Sequence, residues 1–167
     1  METYKASLDT TSKIITTLVF LMAVAGITMC FFKNDWYAGL MLGFIPSILI
    51  VFTFIFKVQS YQITDDKLII KRPVSIFNRE ILLSDIASVR LLNKEDFKGT
   101  IRTGGVGGLF GYYGYFSNIR LGNFTMYATN GKNRVLLVVG EYKSEIVISP
   151  DDAGMADDLQ KRLKKEI

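Results

Sequence analysis

The 167-residue chain has no histidine and a single cysteine, Cys30. It therefore cannot close an internal disulfide, and it can build neither a Cys/His zinc site nor a His-based catalytic triad. Cys30 lies within an apolar run, where a thiol is a packing group rather than a reactive one. No Gly-Lys-Ser/Thr occurs, and Gly105-x-Gly107 meets Phe110 where a third glycine would complete a dinucleotide cradle. No cofactor and no metal is expected. Charge is scarce as well, since between Lys13 and Lys57 only Lys33 and Asp35 interrupt an apolar sequence.

Residues 1–56 carry three lysines and three acids, so the formal net charge of +4 falls on residues 57–167. That mild basic excess would suit a domain held near anionic headgroups, but a solvated basic surface with no partner is the commoner explanation. Nucleic acid is not an expected partner, because no basic run interleaved with aromatics is present.

What is there begins with two uncharged stretches. Ile14 to Phe32 is 19 residues long, and at ~1.5 Å per residue it gives about 28 Å of helix, enough to cross a bilayer. Trp36 to Phe56 adds 21 more, flanked by Trp36 and Tyr37 at one end and Lys57 at the other. The short polar turn Lys33-Asn34-Asp35 makes the pair a transmembrane helical hairpin (14–32 and 36–56) behind an N-terminal tail, 1–13. Lys5 and Lys13 before it, and Lys57, Lys67, Lys71 and Arg72 after it, place both termini in the cytoplasm by the positive-inside rule.

The expected localisation is a two-pass integral protein of a bacterial inner membrane. Ala23-Val24-Ala25 imitates a signal-peptidase site, but the apolar run continues to Phe32 without a polar cleavage region. Met29 stands where a lipoprotein box before Cys30 would need a small residue. Gly39, Gly43 and Ser47 form a small-residue face for helix packing, either on Ala23 and Gly26 of the first span or in a homo-oligomer. Pro46 is expected to bend the second helix. Neither span holds an ionisable residue, which leaves transport without a candidate.

After Lys57 the pattern changes to short alternating runs. Seven strands are predicted: Tyr61 to Thr64, Lys67 to Arg72, Arg79 to Leu83, Ile86 to Leu92, Leu121 to Ala128, Arg134 to Val139 and Glu145 to Ser149. Turns fall at Asp65-Asp66, Thr129-Asn130-Gly131 and Gly140-Glu141-Tyr142. A closing helix is predicted with Ser149 as N-cap, Pro150 at the first position and Asp151 and Asp152 at the positive end of the dipole. Met155, Ala156, Leu159 and Leu163 make its apolar stripe.

Tyr61-Gln62-Ile63-Thr64-Asp65-Asp66-Lys67-Leu68-Ile69-Ile70, Ile81-Leu82-Leu83-Ser84-Asp85-Ile86-Ala87-Ser88-Val89 and Gly107-Gly108-Leu109-Phe110-Gly111-Tyr112 resemble bacterial pleckstrin-homology-like (PH-like) domains. The resemblance covers about residues 58–165. It implies a mainly β, PH-like seven-stranded barrel with a C-terminal capping helix over 57–167, and it specifies fold far better than activity. The inositol-phosphate grip of eukaryotic relatives is not implied, since the first turn is Asp65-Asp66.

The least ordinary segment is Gly99 to Phe116, a glycine and aromatic loop. Its Leu109, Phe110, Tyr112, Tyr113, Tyr115 and Phe116, with Arg102, are the candidate contacts for a partner or a membrane. They would alternatively fold back and fill the barrel mouth, with glycines making room. The expected function is a non-enzymatic, membrane-anchored interaction module for a protein partner or lipid headgroup at the inner membrane face. The alternative is a small membrane-bound hydrolase or transferase using carboxylates, of which Glu95-Asp96 and Asp151-Asp152 are the available pairs.

Overall fold

The computed structural model describes residues 1–33, 36–140 and 142–164. Asn34 and Asp35 of the turn between the spans, Glu141 of the turn at 140–142, and residues 165–167 lie outside the described residues.

Helix α1 runs over Thr10–Lys33. Asp9 starts it: Oδ1 accepts the Ser12 N–H at 2.7 Å and the Asp9 carbonyl accepts that of Lys13. The returning helix is less regular, passing from α2 (Trp36–Ala38) through a π-helical turn at Gly39–Phe44 into α3 (Ile45–Phe56). Pro46 has no N–H for the carbonyl four residues earlier, and the wide turn lies directly before it. Thr10–Phe32 and Gly39–Phe56 are each long and apolar enough to cross a membrane. Only 11% and 22% of their most apolar stretches are buried, so neither is the sequestered core helix of a soluble fold.

The two helices meet through small residues. A Cβ on Gly26 would overlap the backbone of Gly43, and one on Gly39 would lie 2.5 Å from the Cys30 Cβ. Ser47 turns inward, donating to the Gly43 carbonyl at 2.7 Å. This face, which includes Gly39 and Gly43, is thus covered within the chain by α1.

The β domain has two sheets. The first has the order β1-β2-β3-β4, all antiparallel, from Glu2–Lys5, Ser60–Ile63, Lys67–Lys71 and Arg79–Leu82. The second has the order β5-β9-β10-β8-β7-β6. Its strands are β5 (Ile86–Leu91), β6 (Ile101–Gly107), β7 (Tyr112–Asn118), β8 (Gly122–Ala128), β9 (Val135–Val139) and β10 (Ser144–Ile148). The pairing of β10 with β8 is parallel, Glu145 facing Phe124 through Ile148 facing Tyr127.

The PH-like fold is therefore present, but the expected closed seven-stranded barrel is not. Three further strands occur: Glu2–Lys5, read from sequence as tail, and β6 and β7, read as loop. Among the described residues no ladder joins the two sheets, because a 3-10 turn at Leu83–Asp85 carries the chain from one to the other.

The core lies between the sheets, where Tyr61, Ile63, Leu68, Ile70, Leu137 and Ile148 are fully buried. Tyr61 ties the sheets together: its hydroxyl donates to the Tyr127 carbonyl at 2.6 Å and accepts the Ser149 N–H at 3.1 Å. Helix α4 (Gly154–Leu163) closes this core with Met155, Ala156 and Leu159. Its start differs from the expectation. Ser149 Oγ accepts the N–H groups of Thr129 and Asn130 instead of capping, and Asp152 Oδ1 accepts that of Gly154 at 2.8 Å. Asp151 is engaged by Ser7, whose Oγ donates to it at 2.6 Å. Ser149 and Pro150 follow the end of β10, where the buried Thr129 and Asn130 amides need an acceptor.

Candidate functional site

The glycine and aromatic segment is a β-hairpin, β6-β7, turning at residues 108–111. Two features hid it from sequence reading. A register shift between Arg102 and Gly104 breaks the alternation, and Gly105 and Gly114 face each other with φ of +110° and +122°. A Cβ on Gly114 would overlap the Gly104 carbonyl, so the strands approach more closely there than side chains allow.

The tip of the hairpin docks on the helices. Phe110 has φ +55°, unusual for a bulky residue, and is pinned: its N–H donates to Thr16 Oγ1 at 3.1 Å and its ring stands edge-on to Phe54 at 5.7 Å. Lys57 lies over both rings, 4.4 Å from the Phe54 centroid. Buried Tyr113 donates to the Thr53 carbonyl at 2.6 Å, one of the last four carbonyls of α3, which have no acceptor role within the helix. Burial pushes the Tyr113 phenol well above its ordinary value. Tyr112 donates to Asp9 Oδ2 at 3.2 Å, reaching the start of α1.

The candidates thus divide between the two faces of the sheet. Tyr113 and Tyr115 lie on one face with Thr125 and Tyr127; Tyr112 and Phe116 lie on the other with Phe124 and Met126. Leu109 and Phe110 are half-buried at the tip, Tyr115 is exposed, and Phe116 is buried. On the second face, exposed Arg102 joins Tyr112, Phe116, Thr100 and Arg134 around a groove of about 410 Å³. Arg134 lies with its guanidinium 4.0 Å from the Phe97 ring, its Nε–H shut away without an acceptor, and burial draws its pKa down. No carboxylate lines the groove, the nearby Asp9 being occupied by Tyr112 and the helix start.

On the first face a groove of about 390 Å³ opens between α3 and the sheet, with Phe52, Phe56, Tyr113 and Tyr127 as walls and Arg72 among them. Sequence reading missed Arg72 and Arg134 as site residues. The only signal was a lone arginine beside strand residues, and such residues are usually solvated.

Three of the four paired acids are structural, and the fourth, Glu95, is exposed. Asp96 accepts the Asn93 N–H at 2.9 Å in a capping box and bridges Arg90 and Arg120, while Asp151 and Asp152 hold Ser7 and the start of α4. Glu145 lines a third groove beside Thr103 and Tyr115; burial raises its pKa, and no second carboxylate lines that groove. Among the described residues no group of three His, Cys, Asp or Glu side chains could hold a metal ion.

No curated protein and no solved structure matches the chain. A family model described as Bacterial PH domain matches residues 59–166, which spans β2 through α4 and takes in the Arg102–Arg134 groove and the sheet side of the other. With the sheets, the closing helix and this match in agreement, the chain belongs to the bacterial PH domain family.

Proposed function

We propose that this is a non-enzymatic interaction module fixed to a membrane by α1 and α3, its β domain taking an acidic segment of a protein partner in the Arg102–Arg134 groove. The single observation that carries the reading is the convergence of two guanidinium groups, Tyr112 and Thr100 on a groove without a carboxylate lining. Arg102 is exposed at the mouth of the groove, whereas Arg134 is held on Phe97, so one cation captures and the other orients. Of the carboxylates that an enzymatic alternative would need, Asp96, Asp151 and Asp152 serve as caps, hydrogen-bond acceptors or ion-pair partners.

The membrane reading draws on the exposed apolar surfaces of α1 and α3 and on the small-residue contact between them. Pairing of Glu2–Lys5 with β2 keeps the start of α1 and the end of α3 beside one domain, so a crossing hairpin returns to the side it left. Lysine placement makes that side the cytoplasm, at the inner membrane of a bacterium, with residues 14–56 as anchor and 57–167 as the presented domain.

The test is crosslinking in native membranes followed by mass spectrometry. Charge reversal by Arg102→Glu or Arg134→Glu abolishes recovery of the partner, while Asp85→Asn and Glu95→Gln leave it intact. Loss with the carboxylate variants and retention with the arginine variants would overturn the reading in favour of a hydrolase or transferase.

A further inference from the structure

The segment Lys71-Arg72-Pro73-Val74-Ser75-Ile76-Phe77-Asn78-Arg79 joins β3 to β4. A surface loop of this kind is ordinarily polar, yet Ile76 is 82% exposed and Val74 and Phe77 are exposed beside it. Its shape is fixed: Phe77 N–H donates to the Val74 carbonyl, Asn78 N–H to that of Ser75, and Arg72 N–H to Asn78 Oδ1 at 2.9 Å. An apolar tip is thus displayed rigidly, between Lys71 and Arg72 on one flank and Arg79 on the other.

Its position is equally specific. The Phe77 ring lies 4.9 Å from that of Phe56, the last residue of α3. The tip therefore sits level with the end of the second span, where a bilayer passes from acyl chains to headgroups. Immediately beside it is the groove bounded by Phe52, Phe56, Tyr113 and Tyr127. The Arg72 guanidinium is held in that groove, 5.5 Å from the Phe56 centroid and 5.4 Å from that of Tyr127.

We propose that this loop and groove bind an anionic phospholipid of the membrane, with Arg72 on the phosphate, an acyl chain along Phe52 and Phe56, and Ile76 sunk among neighbouring chains. The inference rests on the reading that α1 and α3 cross a membrane. Arg72 keeps its charge although burial draws its pKa down, and its Nε–H is shut away without an acceptor. A phosphate is the doubly accepting anion that a guanidinium lacks here. No carboxylate lines the groove, and among the described residues Lys71, Arg72 and Arg79 form no ion pair. An acidic peptide would answer the charge but not the apolar tip formed by exposed Val74 and Ile76 beside the end of α3. The site is separate from the first hairpin, whose turn is Asp65-Asp66.

The test uses the full-length protein in detergent, with native mass spectrometry against phosphatidylglycerol and phosphatidylcholine of the same acyl chains. The wild type retains phosphatidylglycerol with about fivefold preference, the effect of one arginine at an anionic surface. Arg72→Gln abolishes the preference and Lys94→Gln, in the turn beside the end of β7 away from the helices, keeps it. Equal binding of the two lipids by the wild type, an unchanged preference in Arg72→Gln, or displacement of the lipid by excess inorganic phosphate would each overturn the proposal.

A second measurement does not depend on the Arg72 variant folding. Ile76→Cys in a Cys30→Ser background, labelled with a polarity-sensitive dye in nanodiscs, is quenched by nitroxide-bearing acyl chains; an unquenched dye refutes insertion. Alkaline carbonate extraction separates the two layers of argument. Release of the wild-type chain removes the membrane-spanning reading itself, whereas a retained chain without lipid preference removes this inference alone.

Discussion

Gly114→Ala is a sharp test of how the hairpin is built. Gly114 has φ +122°, outside the left-handed region that a non-glycine residue can visit at modest cost, and its added Cβ would overlap the Gly104 carbonyl and lie 2.7 Å from the Gly105 Cα. The obstruction is backbone, so no side chain can rotate away and β6 must separate from β7. Backbone strain of about 1–3 kcal/mol adds to the loss of ladder bonds, and the gain from a stiffer unfolded chain returns only ~0.4–1 kcal/mol. A net cost of about 3 kcal/mol lowers the melting temperature by roughly 10 °C for a domain of this size. Gly99→Ala and Gly122→Ala are matched controls: φ is +73° and +70°, and nothing lies within 4 Å of the added carbon. They cost about 1 kcal/mol each. The assay is thermal unfolding of the full chain in one detergent, followed by β-sheet circular dichroism. A Gly114→Ala melt that coincides with those of the two controls would refute the account of the close strand approach.

Tyr113→Phe removes the hydroxyl that the terminal Thr53 carbonyl accepts from and leaves that carbonyl without its partner, at a cost of about 1–3 kcal/mol; urea titration checks it, and the loss should appear as faster proteolysis near Lys57 as well. Gly26→Leu forces α1 away from the Gly43 backbone and should lower the stability of the helical hairpin more than that of the β domain, read by comparing helical and sheet signals on heating. The buried Tyr61 phenol is held above its ordinary value of 10.0 by burial, so the folded chain keeps a proton that the unfolded chain releases. Its stabilising contribution is complete below pH 10.0 and is lost as pH rises beyond it, by up to about 1.4 kcal/mol per pH unit. Urea midpoints at pH 8, 10 and 11 (roughly spanning that transition) should fall in the wild type and fall less steeply in Tyr61→Phe.

The parts of the fold legible in the sequence are those with an uninterrupted signal. The charge gap from Lys13 to Lys57 marks both long helices, and the alternation through Tyr61, Ile63, Leu68 and Ile70 marks the hairpin whose side chains fill the core. Where local signal and tertiary demand diverge, the reading fails. Glu2–Lys5 is polar and only four residues long, and it becomes a strand because the open edge of β2 pairs with it. Glycines at 104, 105, 107 and 114 depress strand propensity in β6 and β7, although a close pairing of backbones is what those glycines permit. Ser149 has the chemistry of a helix cap, yet two buried amides across the sheet claim its oxygen. The site divides in the same way: the aromatics were conspicuous, but only the register of β7 decides which face each takes, and Arg72 and Arg134 acquire meaning only beside Tyr127 and Phe97.

That division of faces explains why one hairpin carries so many aromatic residues. Phe110 and Tyr113 are spent on the ends of the helices, so the β domain cannot rotate freely on a short linker from Phe56 to Ser60. Tyr61 in turn locks the two sheets, and β1 closes the loop from the start of α1 back to β2. Three separate ties thus join the helices and the β domain, and a flexible tether would need none of them. Such rigidity has a consequence for the two cationic grooves, which occupy opposite faces of β6, β7 and β8. If the Arg72 face borders the headgroups beside Phe77 and Phe56, the Arg102–Arg134 groove opens on the other side of the same sheet, beside the start of α1. A single orientation would then serve both proposed ligands, and Phe110→Ala, which loosens the tip, should weaken both while leaving the two arginine clusters chemically intact. Loss of one binding activity without the other in that variant would show that the grooves are positioned independently of the hairpin tip.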